Sequence, residues 1–264
     1  MELLDRLLEL PLVMRRNFSL PIAHSLIKTH LTDQCLVSYP RSGSTWLRTI
    51  LAAIIDPEKG FAPEVFNRIL PGVSGNRLPL VWRLNDPRVI HSHTPYRKKL
   101  PRVVYIVRDG RDAIVSHYHH SVTRRGVELL FPDWFELYCK RWYGPRWHDN
   151  VEGWLTKGRD QLGENFMLIR FEDMKNDLLG TVQNIAEFLG LPTELNLLSH
   201  AIEMASLEKA RKREEKVTGE LNSPNASFYR GGKVGQWQEL MDDQIYNKFM
   251  QMSLNALTLA GYTD

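Results

Sequence analysis

Apolar positions along the chain alternate between two spacings. The run "CLVSY" at 35–39 is short, β-leaning and bounded by Pro40, the pattern of a buried strand. Immediately after it the period lengthens: Trp46, Leu47, Ile50, Leu51, Ile54 and Ile55 share one helical face, and Asp56-Pro57 stops the helix. "RVIHSH" at 88–93 and "RVVYIV" at 102–107 read as two further strands, the second leaving through "RDGRD" into the helical pattern "AIVSHYHHSV". "FMLIRF" at 166–171 is a fourth strand. A helix follows over 172–190, with Leu179, Val182, Ile185, Ala186 and Leu189 on its apolar face and Gly190 at its end. Strands alternating with helices predict an α/β fold, a central, mainly parallel sheet flanked by helices on both faces.

The remaining stretches carry weaker periodicity. Leu3, Leu4, Leu7 and Leu8 predict an N-terminal helical segment within 1–32 that packs on the core. Residues 60–85 hold Pro63, Pro71, Pro79, Gly72 and Gly75 and should form an irregular surface excursion. A charged helical stretch from about Ser199 to Lys216 leads into a glycine- and serine-rich segment, and 215–236 is expected to be a mobile loop covering a ligand. The aromatic stretch bearing Trp134, Trp142, Trp147 and Trp154 reads mainly as packing.

Composition narrows the function classes. With 264 residues, 43% of them hydrophobic and 25% charged, the chain is expected to form one globular domain over 1–264. Lys+Arg 34 against Asp+Glu 31 leaves no bulk charge to argue for nucleic acid, so any basic site is local. The two cysteines, Cys35 and Cys139, lack metal-binding or disulfide-scaffold spacing. Charges at Glu2, Asp5, Arg6 and Glu9 interrupt the N-terminal apolar stretch, and no apolar run reaches the roughly 18 residues of a membrane span, so a cytoplasmic protein without a transmembrane segment is expected.

Candidate chemistry begins at "YPRSGSTWL", 39–47. A strand feeding through Gly43 and Ser44 into a helix aims several backbone N–H groups at one point, a ready anion site; the plain alternative is a tight turn with a helix cap. It is not a nucleoside-triphosphate loop, because the second glycine and the lysine of that motif are absent.

This loop, with "VYIVRDGRDAIVSHYHH", "HSHTP", "FEDMKND" followed by a helix ending "EFLGL", and "FYRGGKVGQW", resembles in order the motifs of the cytosolic-type sulfotransferases across about residues 35–240. The resemblance implies a fold related to nucleotide kinases, a donor, 3'-phosphoadenosine 5'-phosphosulfate (PAPS), transfer of its sulfuryl group to a hydroxyl or amine, release of 3'-phosphoadenosine 5'-phosphate (PAP), and no metal. It implies that the amides of Ser42, Gly43, Ser44, Thr45 and Trp46, with the Ser44 and Thr45 hydroxyls, hold the 5'-phosphosulfate, and that Arg108 and Ser116, joined by Arg230 and the amides of Gly231 and Gly232, hold the 3'-phosphate. Trp46, Phe171, Ser206, Leu207 and Tyr229 match positions around the nucleotide.

His93 is implied as general base, with His91 on the same strand as its rival, and Arg41 takes the place of the lysine that stabilises the departing phosphate. Phe171, Leu207 and Gly231 stand where the family has a tyrosine, an aromatic and a lysine. The family's dimer motif is not visible in "QWQELMDDQIYNK". Implied acceptors are small molecules, lipids or glycans, with no nucleic acid; the alternatives are a nucleotide-kinase-like phosphotransferase and a non-catalytic PAP-binding protein. Glu64, His119 and Asp112 acquire no role.

Overall fold

The computed structural model describes residues 32–60, 70, 89–96, 100–125, 128–218 and 232–263. The expectations for the N-terminal helix, for nearly all of the 60–85 excursion and for Tyr229, Arg230 and Gly231 lie outside these residues.

Four strands form one parallel sheet: β1 (Gln34–Ser38), β2 (Val89–Ser92), β3 (Val103–Val107) and β4 (Phe166–Arg170), in the order β2-β1-β3-β4. All four are those predicted, and the parallel α/β architecture is as expected. Side chains of a strand alternate between faces. Cys35, Val37, Val103, Tyr105 and Val107 therefore enter one core, and Leu36, Val104 and Ile106 enter the other. The first core is closed by α2 (Gly110–Arg125), α3 (Phe131–Cys139), α4 (Trp147–Gly153) and α9 (Asp243–Ala260), with Trp134, Trp147, Trp154 and Phe249 all at 0% exposure. Packing is thus the role of three of the four tryptophans; Trp142 stands 37% exposed.

The second core is closed by α1 (Ser44–Ile55), α6 (Leu178–Phe188) and α7 (Leu195–Met204). Helix α1 is buried almost all round, from Leu47 to Ile54, while Ile55 at its end is exposed. The helix predicted over 172–190 is two. Helix α5 (Phe171–Asn176) ends at Asp177, whose carboxylate accepts the Gly180 amide at 2.9 Å and caps α6, leaving Leu179 outside the core. The charged stretch after 199 is likewise broken, at Ala205–Ser206, between α7 and α8 (Leu207–Thr218), so Ser206 stands at a helix entry where its hydroxyl accepts the Lys209 amide.

Adjacent strands β1 and β3 send their helices to opposite faces, α1 into the second core and α2 into the first. Such a switch point opens a crevice at the carboxyl ends of the strands, where ligands of open α/β sheets bind.

Candidate active site

The loop from β1 to α1 occupies that crevice. Arg41 (φ 72) and Gly43 (φ 91) both lie in the left-handed region, turning the chain so that Leu47 N–H reaches the Gly43 carbonyl and α1 begins pointing at the crevice. The first turn of α1 holds no acidic residue, so its positive end is not neutralised from within. A Cβ on Gly43 would lie 2.6 Å from Phe171 Cδ2; glycine is required both by φ and by the ring behind it. The Ser42 hydroxyl is buried with no hydrogen-bond partner among the described residues.

Arg108 follows β3 and is only 4% exposed. Its Nη2 donates to the Lys233 carbonyl at 2.8 Å, its Nη1 to the Arg41 carbonyl at 3.4 Å, and its guanidinium lies 4.7 Å from the Phe171 ring centre. Its Nε, also buried, has no partner among the described residues. The Asp112 carboxylate stands 3.6 Å from Nη2 and accepts the Gly235 and Trp237 amides at 2.8 and 3.1 Å. Burial raises the Asp112 carboxyl above its ordinary value, with Arg108 and those two amides opposing. Arg41 Nε donates to Ser116 Oγ at 3.2 Å, so the side chain from the first loop already reaches the second.

His93 sits half-buried just past β2, with Nδ1 at 2.9 Å from the Ser38 carbonyl and 3.2 Å from Ser38 Oγ. A carbonyl only accepts, so Nδ1 carries the proton and, in the neutral ring, Nε2 carries the lone pair. The carbonyl of the next residue, Thr94, accepts from the buried indole N–H of Trp154 at 3.0 Å, which anchors the strand end. His91 is buried beside it, ring centres 4.4 Å apart, and burial together with the charges of His93 and Arg48 holds its pKa well below 6.5.

One cavity of about 640 Å³ joins these parts. Arg41, Gly43, Ser44, Thr45, Trp46, His93, Arg108, Ser116, Phe171, Ser206, Leu207 and Gly232 line it. His91 does not line it, and Ser42 lies buried beneath. Trp46 and Phe171 meet edge to face at 6.2 Å. Sequence reasoning missed Thr49, His117, His120, Tyr143, Lys175, Glu203 and Gln236. Thr49 sits four residues after Thr45 and His120 four after Ser116, spacings that share a helical face and could have found them; His117, one residue past Ser116, carries no such signal. Nothing marks Tyr143, which arrives by packing against His117 and Trp134.

A family model described as "Sulfotransferase domain" matches residues 31–259. Flavonol 3-sulfotransferase of Flaveria bidentis is 28% identical over 277 residues, covering 91% of this chain and 86% of that protein. Cytosolic sulfotransferase 5 of Arabidopsis thaliana is 26% identical over 263 residues, covering 87% and 81%. Among solved structures, a mouse sulfotransferase complexed with PAP shares the fold at a TM-score of 0.71 and 23% identity, covering 94% of this chain and 96% of that one. No helix among the described residues is long and apolar enough to cross a membrane.

Proposed function

The chain belongs to the sulfotransferase family, and we propose on that premise that it uses PAPS as donor and a hydroxyl of a small-molecule acceptor. The single observation that carries this reading is the cavity that brings the loop from β1 to α1, Arg108 and Ser116 together with His93. PAPS bears anionic groups at both ends of its ribose, so a site for it must hold both. Arg108, which lines the cavity with a buried Nε that no described residue pairs, fits such a ligand, because a buried polar group without a partner is costly unless a ligand completes it.

When bound, PAPS supplies an electrophilic sulfuryl group and a stable leaving phosphate. The loop amides from Ser42 to Trp46 and the positive end of α1 hold the 5' end. Arg108 and Ser116 hold the 3'-phosphate, and Trp46 and Phe171 enclose the base. His93 Nε2 takes the acceptor proton as the oxygen–sulfur bond forms and the bond to the phosphate oxygen breaks, while Nδ1 stays fixed on the Ser38 carbonyl. Arg41 offers its charge to the departing phosphate oxygen. A flavonol 3-sulfotransferase among the relatives supports a hydroxylated small molecule as acceptor, and relatives named cytosolic sulfotransferases support action in the cytoplasm.

The test is a thermal-shift titration with PAP, ATP and 5'-AMP on the wild type and Arg108→Ala, followed by transfer of labelled sulfate from PAPS to a panel of phenols and alcohols. Selective stabilisation by PAP that the variant loses is expected, since a ligand that binds only the folded state raises its stability. Stabilisation by ATP equal to that by PAP would overturn the donor assignment. PAP binding without transfer to any acceptor would favour a non-catalytic binding protein.

A further inference from the structure

Asp112 has no part in the chemistry above, yet it is a carboxylate only 1% exposed, beside the Arg108 that lines the cavity. Its position is explained neither by the first turn of α2 alone nor by the neighbouring ion pair, because Asp109 takes Arg111 through both of its oxygens at 2.7–3.1 Å. Asp112 instead faces two groups from different parts of the chain. One is the Arg108 guanidinium at 3.6 Å; the other is the segment 232–237, through the Gly235 and Trp237 amides. That segment supplies Gly232 and Gln236 to the cavity wall and the Lys233 carbonyl to Arg108. Two amides converge on one carboxylate because Gly235 turns at φ +81, a position where a Cβ would meet nothing within 4 Å, so the glycine serves the turn and not a close approach.

We propose that Asp112 is a positioning residue for the donor's 3'-phosphate: one buried carboxylate sets the orientation of Arg108 and pins the 232–237 segment against it. The inference rests on the donor reading above. The carboxylate keeps the segment in place through its two charge-assisted hydrogen bonds while Arg108 receives the phosphate. In Asp112→Asn the Gly235 and Trp237 amides, which approach different carboxylate oxygens, cannot both keep an acceptor, because the NH2 that replaces one oxygen faces an N–H as donor against donor.

The experiment compares equilibrium binding of PAP and 5'-AMP, which lacks the 3'-phosphate, to the wild type and to Asp112→Asn. Wild type is expected to bind PAP at least about tenfold more tightly than 5'-AMP. In the variant PAP should weaken about tenfold and dissociate faster, with 5'-AMP changed less than about threefold, as loss of hydrogen bonds to a charged group predicts. Equal weakening of both ligands would mean that Asp112 only supports the fold, and unchanged PAP binding would equally overturn the proposal. A wild type that does not distinguish the two ligands would instead overturn the donor reading itself. Should the variant not fold, hydrogen exchange at the Gly235 and Trp237 amides of the wild type decides the matter. They are expected to exchange at least about tenfold more slowly in the PAP complex than in the 5'-AMP complex, and equal rates overturn the proposal.

Discussion

Replacing Gly43 by alanine adds one methyl group where the loop from β1 to α1 meets the Phe171 ring, and its cost follows from two contributions. The first is conformational: φ 91 is left-handed, which costs an L-residue about 1–2 kcal/mol, offset by about 0.4–1 kcal/mol because alanine restricts the unfolded chain. The second is steric. The new Cβ would stand 2.6 Å from Phe171 Cδ2, about 1 Å inside normal carbon–carbon separation, and the ring is 5% exposed with Arg108 over its face and Gly232 at its far edge, where a Cβ would also come within 2.9 Å. The ring cannot yield without moving those neighbours, an overpacking cost of about 1–3 kcal/mol. Together these give about 1–5 kcal/mol, a fall in Tm of roughly 2–20 °C for a chain of this size. Gly190→Ala is the matched control: φ 63 imposes the same backbone strain, and nothing lies within 4 Å of the added Cβ. Thermal melts of both variants, with calorimetric titration of PAP, separate the contributions. Gly190→Ala should lose only about 1 kcal/mol and bind PAP as the wild type does, whereas Gly43→Ala should lose more stability and weaken PAP at least tenfold. Equal Tm losses with unchanged PAP binding in both would refute the claim that Phe171 transmits the loop's geometry to Arg108.

Other expectations follow from the same geometry. His93→Ala should lower kcat by about 10²–10⁴ with the donor KM within about threefold, since the ring is assigned to proton transfer and not to donor binding; a loss below tenfold in steady-state turnover would remove it from that role. Arg41→Ala should cost about 10²–10³ in kcat while Arg41→Lys keeps more than a tenth of it, because the charge and not the fork is assigned to the leaving phosphate; equal loss in both would reverse that assignment. Burial lowers the pKa of both His91 and His148. Above about pH 7 neither the folded nor the unfolded chain protonates them. As pH falls through the unfolded value near 6.5, only the unfolded chain takes up protons, so stability drops toward pH 5 by up to about 1.4 kcal/mol per pH unit for each histidine. Urea midpoints across pH 5–7.5 check this, and a flat profile would contradict the buried, neutral state of both rings.

Legibility in the sequence followed the range of the interaction that decides each feature. The strands were readable because β-leaning apolar runs bounded by turn residues reflect local constraints, and the parallel order followed from their alternation with helices. The break at Asp177 was not, since apolar periodicity continues through it and only the carboxylate's capture of the Gly180 amide reveals the cap. At the site, the residues of the strand-end loops were legible because such loops converge at the carboxyl edge whatever the packing behind them. Tyr143, Lys175 and Glu203 reach the same cavity only through the tertiary placement of their helices and turns. The choice between His91 and His93 shows the limit most clearly. Two positions apart on one strand, they are equivalent in periodicity, and what separates them is that His93 lies past the last paired residue, with its ring tied to the Ser38 carbonyl on the cavity wall, whereas His91 pairs with Leu36 inside the sheet. Asp112 follows the same logic from the other side. Its sequence neighbours suggest an ordinary acidic residue in the first turn of a helix, and its partners, 123 and 125 residues away, are what tie it to the 232–237 segment beside Arg108.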